Sequence, residues 1–138
     1  MGMTDLQHQI LNATVRGILD GPHLSVLATA DADGKPQTSV IFVKREGDEI
    51  VFSTIKGRRK TINMSRNPRV NLLVHSLPVT GPDFATISGV VELSDDPGGA
   101  FHQEMYDIHM GGATPPPEPG AERVIVRLVP ERVYVPAF

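Results

Sequence analysis

The stretch from Val51 to Val70, VFSTIKGRRKTINMSRNPRV, gathers residue types that bind anions. Between Ile50 and Pro82 there is no acidic residue, while Lys56, Arg58, Arg59, Lys60, Arg66 and Arg69 provide six of the chain's 13 lysines and arginines. Two hydroxyls, Ser53 and Thr54, precede these cations. Gly57 interrupts a β-prone run, and the residue before Pro68 avoids helical torsions, so the pattern predicts a strand, a turn at Gly57 and a short helix over 58–66. A helix N-terminus has unpaired N–H groups and the positive end of the helix dipole, and it attracts phosphate or carboxylate. Cations in the first turn oppose that dipole by about 0.3–1 kcal/mol each when exposed. A bound anion reverses the penalty, and Ser53 and Thr54 add hydroxyl donors within reach of it. A solvated basic surface fits the same composition, and spacing alone leaves both readings open.

The elements that must hold this segment follow from period and punctuation. Leu6, Ile10, Leu11, Ile18 and Leu19 recur at helical spacing after Thr4, an N-cap candidate, and Gly21-Pro22 ends the pattern. Residues 23–30 (HLSVLATA) and 35–44 (KPQTSVIFVK) are strands joined by the turn Asp31-Ala32-Asp33-Gly34. A second hairpin turns at Glu46-Gly47-Asp48 and returns over 49–55. Further strands cover 69–76 and 84–93, where Gly89 marks a bulge or a close backbone approach. A helix is expected over 97–110, with Asp95-Asp96 as its cap, and residues 111–121 are too rich in Gly and Pro to be regular. Two final strands, 123–128 and 132–135, complete a single domain over 1–138. Many short strands with few helices predict a mainly β protein: a closed antiparallel barrel of six to seven strands, with an N-terminal helix, a short helix between strands and a later helix.

The ordered residues Ser53-Thr54, Arg59-Lys60, Asn63 and Asn67-Pro68-Arg69-Val70 resemble the phosphate-binding segment of the pyridoxamine 5'-phosphate oxidase-like, FMN-binding split β-barrels. Residues 24–43 (LSVLATADADGKPQTSVIFV) resemble the first hairpin of that family. The ending RVIVRLVPERVYVP, residues 123–136, is similar to the closing strands of its actinobacterial branch B, whose members use the deazaflavin coenzyme F-420. The resemblance runs over roughly residues 5–138. It implies that Ser53, Thr54, Arg59 and Lys60 contact a cofactor phosphate, with Lys56 and Arg58 serving a longer anionic tail. It further implies that Ser39, Val40, Ile41, Phe42 and Val43 present backbone groups to the ring system, and that a homodimer shares the cofactor site at its interface. FMN-using oxidases usually carry Arg at the position of Thr38, Lys at Val43 and Gln at Phe84, and this chain has none of them. The implied activity is hydride transfer from reduced coenzyme F-420 to a small electron-poor compound, such as an enone, quinone, nitro compound or tetrapyrrole. An FMN-dependent oxidoreductase and a non-catalytic flavin or haem carrier stand as alternatives. His75 lies where the family's ring is close, and its ordinary pKa of about 6.5 suits a proton donor or, equally, a hydrogen-bonded rim residue.

The rest of the composition narrows the field. No cysteine is present, which excludes disulfides, thiolate metal sites and a Cys nucleophile. His102, Tyr106 and His109 share helical spacing, but no carboxylate or third His completes a metal set, so they read as helix face and pocket lining. A net charge of −3 argues against a general nucleic-acid binder. No apolar run approaches the ~20 residues of a membrane span, and the N-terminus lacks a basic-then-apolar leader. The expectation is a cytoplasmic enzyme with small-molecule partners and no bound metal.

Overall fold

The structure, a computed structural model, describes residues 10–136. The expected cap at Thr4 and the first apolar position, Leu6, lie outside the described residues. Helix α1 (Ala13–Asp20) is capped by Asn12, whose side chain accepts from the Val15 N–H at 3.0 Å. Its buried face of Val15, Ile18 and Leu19 packs on the strands and covers one end of the core.

Seven strands follow: β1 (His23–Ala30), β2 (Pro36–Ile41), β3 (Lys44–Glu46), β4 (Glu49–Ile55), β5 (Arg69–Ser76), β6 (Phe84–Asp95) and β7 (Arg123–Tyr134). Between them lie α2 (Arg59–Arg66), a 3-10 turn (Pro97–Gly99) and α3 (Ala100–His109). The strands alternate as a half-buried sheet must. Leu27, Leu72 and Val74, Ile87, and Val126 and Leu128 point inward together. Strand β4 is buried on both faces, with Val51 fully enclosed, and α3, which buries Met105, packs against it.

All pairings are antiparallel, in the order β2-β1-β5-β6-β7-β4-β3. Laid flat, this ladder would separate its edges by about 29 Å. Yet its two edge strands are consecutive in the chain, linked only by Phe42 and Val43, which hold Ile41 and Lys44 within about 11 Å of each other. The sheet therefore curls into a barrel whose seam is bridged by the chain itself. Extending the β3–β4 register by two residues places Phe42 opposite Ser53. Helix α3 straps the seam: His109 Nε2 donates to the Val43 carbonyl at 2.9 Å, and its ring stacks on Phe42 at 4.9 Å.

The mainly β curled sheet, with a short helix between β4 and β5 and a later helix before the last strand, is the architecture expected from sequence, and its edges β2 and β3 meet through the chain between them and not through a strand pairing. The N-terminal helix does not include Ile10 and Leu11 as expected, because Asn12 caps it and both precede that cap; two strand boundaries differ as well. The run expected as one strand over 35–44 divides into β2 and β3, because the chain changes partner there, from β1 to β4. The two strands expected over 123–128 and 132–135 are one strand, β7, because a register shift at Ser88/Gly89 absorbs an extra residue on β7 beside Pro130. Both features foreseen for Gly89 occur at this shift. A Cβ at Gly89 would sit 2.1 Å from the Val129 carbonyl oxygen, so backbone would have to move. Gly89→Ala should destabilise the fold by about 3 kcal/mol, read as a lowered urea midpoint; an unchanged midpoint would show that the bulge relaxes freely.

Candidate anion and cofactor site

Where the seam meets the end of β4 and the start of α2, a cavity of about 200 Å³ opens. The seam contributes Val40, Ile41 and Phe42, and β4 contributes Ser53 and Thr54. Arg58 and Lys60 come from the start of α2, while His102, Met105 and Tyr106 come from α3. Arg123, the first residue of β7, completes the wall because β7 pairs with β4 end to end, with Ile55 opposite Arg123. A second cavity of about 580 Å³ adjoins it and shares His102 and Arg123.

The electrostatics of the smaller cavity centre on Lys60. Its ammonium is half-buried and has no carboxylate partner among the described residues. Burial, then repulsion by Arg58 and Arg123, lowers its pKa below the ordinary 10.5. Arg58 is the N-cap of α2 and supplies no side-chain cap, so the first N–H groups of the helix have no capping side chain. A half-buried cation with two cationic neighbours destabilises the empty site and favours an anion in it. Ser53 Oγ accepts from Arg123 Nη1 at 3.4 Å, which leaves its own proton for another acceptor.

Not every residue singled out by sequence arrives here. Arg59 turns away from the cavity and forms a two-pronged pair with Asp31 on the β1–β2 turn, with Nε to Oδ1 at 2.8 Å. Lys56 lines the larger cavity and pairs with Asp95 at 3.2 Å and Glu122 at 3.7 Å. The Thr54 hydroxyl lies 3.1 Å from that of Thr61, whose own proton goes to the Ile55 carbonyl at 2.8 Å. Thr54 must then be the donor in that pair and has no proton left for a ligand. The Val43 side chain is fully buried in the core, and the buried Ser39 Oγ has no partner. His75 is not in the cavity wall: Nδ1 lies 2.7 Å from the Ser76 carbonyl and Nε2 3.0 Å from that of Gly81. The expected cap is divided, with Asp96 accepting from the N–H groups of Phe101 and His102 at 3.2 and 3.1 Å while Asp95 faces Lys56. His102 and Tyr106 do line the pocket. Arg123 was missed because nothing local marks it; only the β4–β7 register brings it to Ser53.

A curled seven-stranded sheet with a cavity at its seam lined by Arg58, Lys60 and Arg123 defines a small split-barrel protein. Comparison with known proteins gives the family. The model for pyridoxamine 5'-phosphate oxidase matches residues 11–135, and the chain belongs to this family. Pyridoxine/pyridoxamine 5'-phosphate oxidase of Streptomyces avermitilis is 35% identical over 66 residues, 47% of this chain and 30% of that protein. The Cupriavidus necator enzyme of the same name is 34% identical over 85 residues, 60% of this chain and 39% of that one. The chain thus aligns with well under half the length of these curated relatives. Among solved structures, an F420 reductase superposes with a TM-score of 0.76 at 30% identity, covering 88% of this chain and 96% of that one. A Listeria innocua protein described as a pyridoxamine 5'-phosphate oxidase homologue gives a TM-score of 0.65 at 22% identity, covering 86% and 92%, and shares the fold.

Helix α2 is locked to the barrel by a polar network that keeps Lys60 in place. Asn63 is buried and its Nδ2 donates to Thr29 Oγ1 at 3.0 Å and to Asp31 Oδ1 at 2.9 Å. The Arg59 hydrogen bond, followed by that of Asn63, lowers the Asp31 pKa from 3.8 to about 2. A carboxylate with a depressed folded-state pKa contributes stability that is fully present above its unfolded value and is lost as pH falls through the folded one. Acid unfolding of the parent should therefore steepen between 3.8 and about 2, and Asp31→Asn should remove that component. Identical pH profiles for the two proteins would show that the Arg59–Asp31 pair does not hold α2.

Proposed function

We propose that the chain is a coenzyme F-420-dependent reductase acting on a small electron-poor organic compound, with its cofactor phosphate at Lys60 and Arg58. The observation that carries the phosphate site is the half-buried Lys60, unpaired and beside Arg58 at the start of α2. The deazaflavin is supported by the match to an F420 reductase over nearly both chains. It is also supported by Val43 and Thr38 standing where FMN-using relatives carry cations: the Val43 position points into the core. FMN is the second reading, favoured by charge count. Lys56 and Arg59 are each engaged by carboxylates, so Arg58 and Lys60 remain, enough for a single phosphate.

When bound, the coenzyme supplies hydride chemistry, and the protein's share is binding, orientation and exclusion of water. Lys60, Arg58 and the Ser53 hydroxyl hold the phosphate. Strand β2 is an edge of the ladder, so its outward backbone groups from Ser39 to Ile41 are available to ring heteroatoms, as are those of Phe42, while the Val43 carbonyl is held by His109. Val40 and Phe42 offer an apolar wall on one side, and Met105 and Tyr106 close the other. Arg59 supports this site through Asp31 and is a positioning residue. His75 takes no step in this arrangement.

Lys60→Ala should weaken binding of coenzyme F-420 by about 1.5–3 kcal/mol, the range for hydrogen bonds to charged groups. Arg66→Ala, whose guanidinium is bound to the Ala30 carbonyl and Asn63, should cost much less. Because an anion raises the lowered Lys60 pKa, affinity should be highest below that pKa and fall as pH rises through it toward 10.5. Fluorescence titration of the variants checks this: equal losses at Arg66 and Lys60 would indicate a diffuse basic surface, and tighter binding of FMN than of coenzyme F-420 would reverse the cofactor assignment.

We also propose a homodimer with the cofactor cleft at its interface. The ladder aligns Val40, Val26, Leu73, Thr86 and Tyr134 in one row across the outer sheet face, with Val40 66% and Tyr134 59% exposed. A second copy covers such a row. Light scattering should give twice the chain mass, and Val40→Asp should yield monomers; a monomeric parent that still binds cofactor would refute the shared cleft.

A further inference from the structure

Resting on the phosphate-site reading, a different interaction in the same wall reaches further. Arg123 is 14% exposed and sits between the two cavities. On one side its Nη1 reaches Ser53 Oγ at 3.4 Å, beside Arg58 and Lys60. On the other it grips Glu118 with a two-pronged fork, Nε to Oε2 at 3.0 Å and Nη2 to Oε1. Glu118 belongs to the Pro/Gly-rich connection between α3 and β7. Among the described residues, it makes the only side-chain bonds from the stretch 114–121 to the rest of the protein. His102 Nε2, buried and without a hydrogen-bond partner, lies 4.0 Å from the same carboxylate. A guanidinium fork fits carboxylate and phosphate alike. Three cations around one small cavity repel one another, and among the described residues Glu118 is the only carboxylate paired with any of them.

We propose that Glu118 is the resident anion of the phosphate site. It holds Arg123 in the ligand-free protein and yields it to an incoming phosphate, which makes Arg123 a third phosphate-binding residue and ties the connection 111–122 to occupancy. Because Ser53 already anchors the guanidinium on the cavity side, Arg123 exchanges partners without leaving its place. Glu118, once released, frees the connection that it pins to the barrel.

The test uses the full chain and inorganic phosphate, followed by calorimetry. Glu118→Gln should bind phosphate about five- to tenfold more tightly, the size of one charge-assisted bond relieved of its competitor. Arg123→Gln should bind it about tenfold more weakly, and the double variant should show no gain over Arg123→Gln, since the effect of Glu118 passes through that residue. In the parent, phosphate should accelerate amide exchange across 113–121, and Glu118→Gln should show the fast pattern without phosphate. If Glu118→Gln binds no more tightly and Arg123→Gln is unchanged, the pair is a permanent clip and the proposal falls. If Lys60→Ala binds phosphate as well as the parent does, the phosphate site itself is refuted, and this inference with it.

Discussion

Closure of the seam is the constraint on which the rest of the molecule depends. The first and last strands of the ladder are neighbours in sequence, separated by Phe42 and Val43 alone. A chain that short cannot reach across a flat seven-stranded sheet, so curvature is imposed by connectivity. Closure brings the end of β2 to the end of β4, and with it an edge of unpaired backbone to the start of α2. Helix α3 completes the arrangement by bonding the seam at Val43 and stacking on Phe42. Lys44 reinforces it from the next residue, pairing with Glu104 on α3 and with Glu46 at 3.2 Å.

Within that frame, charge is sorted rather than merely concentrated. The basic run 56–69 looks uniform in sequence, but the fold assigns its members different partners. Lys56 meets Asp95, Arg59 meets Asp31 and Arg69 meets Glu131. Arg66 turns to a carbonyl and an amide. Only Arg58 and Lys60 reach the cavity without a carboxylate partner among the described residues. Exposed pairs contribute little to stability, so the value of this sorting lies in register: Arg59 fixes the helix start against the β1–β2 turn, and Lys60, one residue on, is thereby aimed inward.

The same logic accounts for the division of labour between the paired hydroxyls. Thr54 and Thr61 bond one another beneath α2 and tie the helix to β4. Ser53, one residue earlier and on the opposite face of the strand, is left to the cavity. Alternation along β4 thus separates a structural hydroxyl from one open to a ligand.

By itself the sequence determined most of the elements and the cationic character of the segment. Hairpin turns, the alternation of β5 and β6, the stop at Asn67-Pro68 and the close approach at Gly89 are local features, set by torsions and period, and they were legible residue by residue. The cationic first turn after 53–54 was legible too, though its composition fits a solvated basic surface as well as an anion site. Tertiary structure decided which of these cations are paired with carboxylates. Ion pairing is a contact between distant residues, and no spacing within 56–69 reveals that Asp31 waits for Arg59 or Asp95 for Lys56. It likewise decided that 35–44 divides into two strands, that β7 runs unbroken past Pro130, and that Arg123 stands beside Ser53. Each of these follows from strand register across the barrel, a long-range pairing that a single chain read in order does not display.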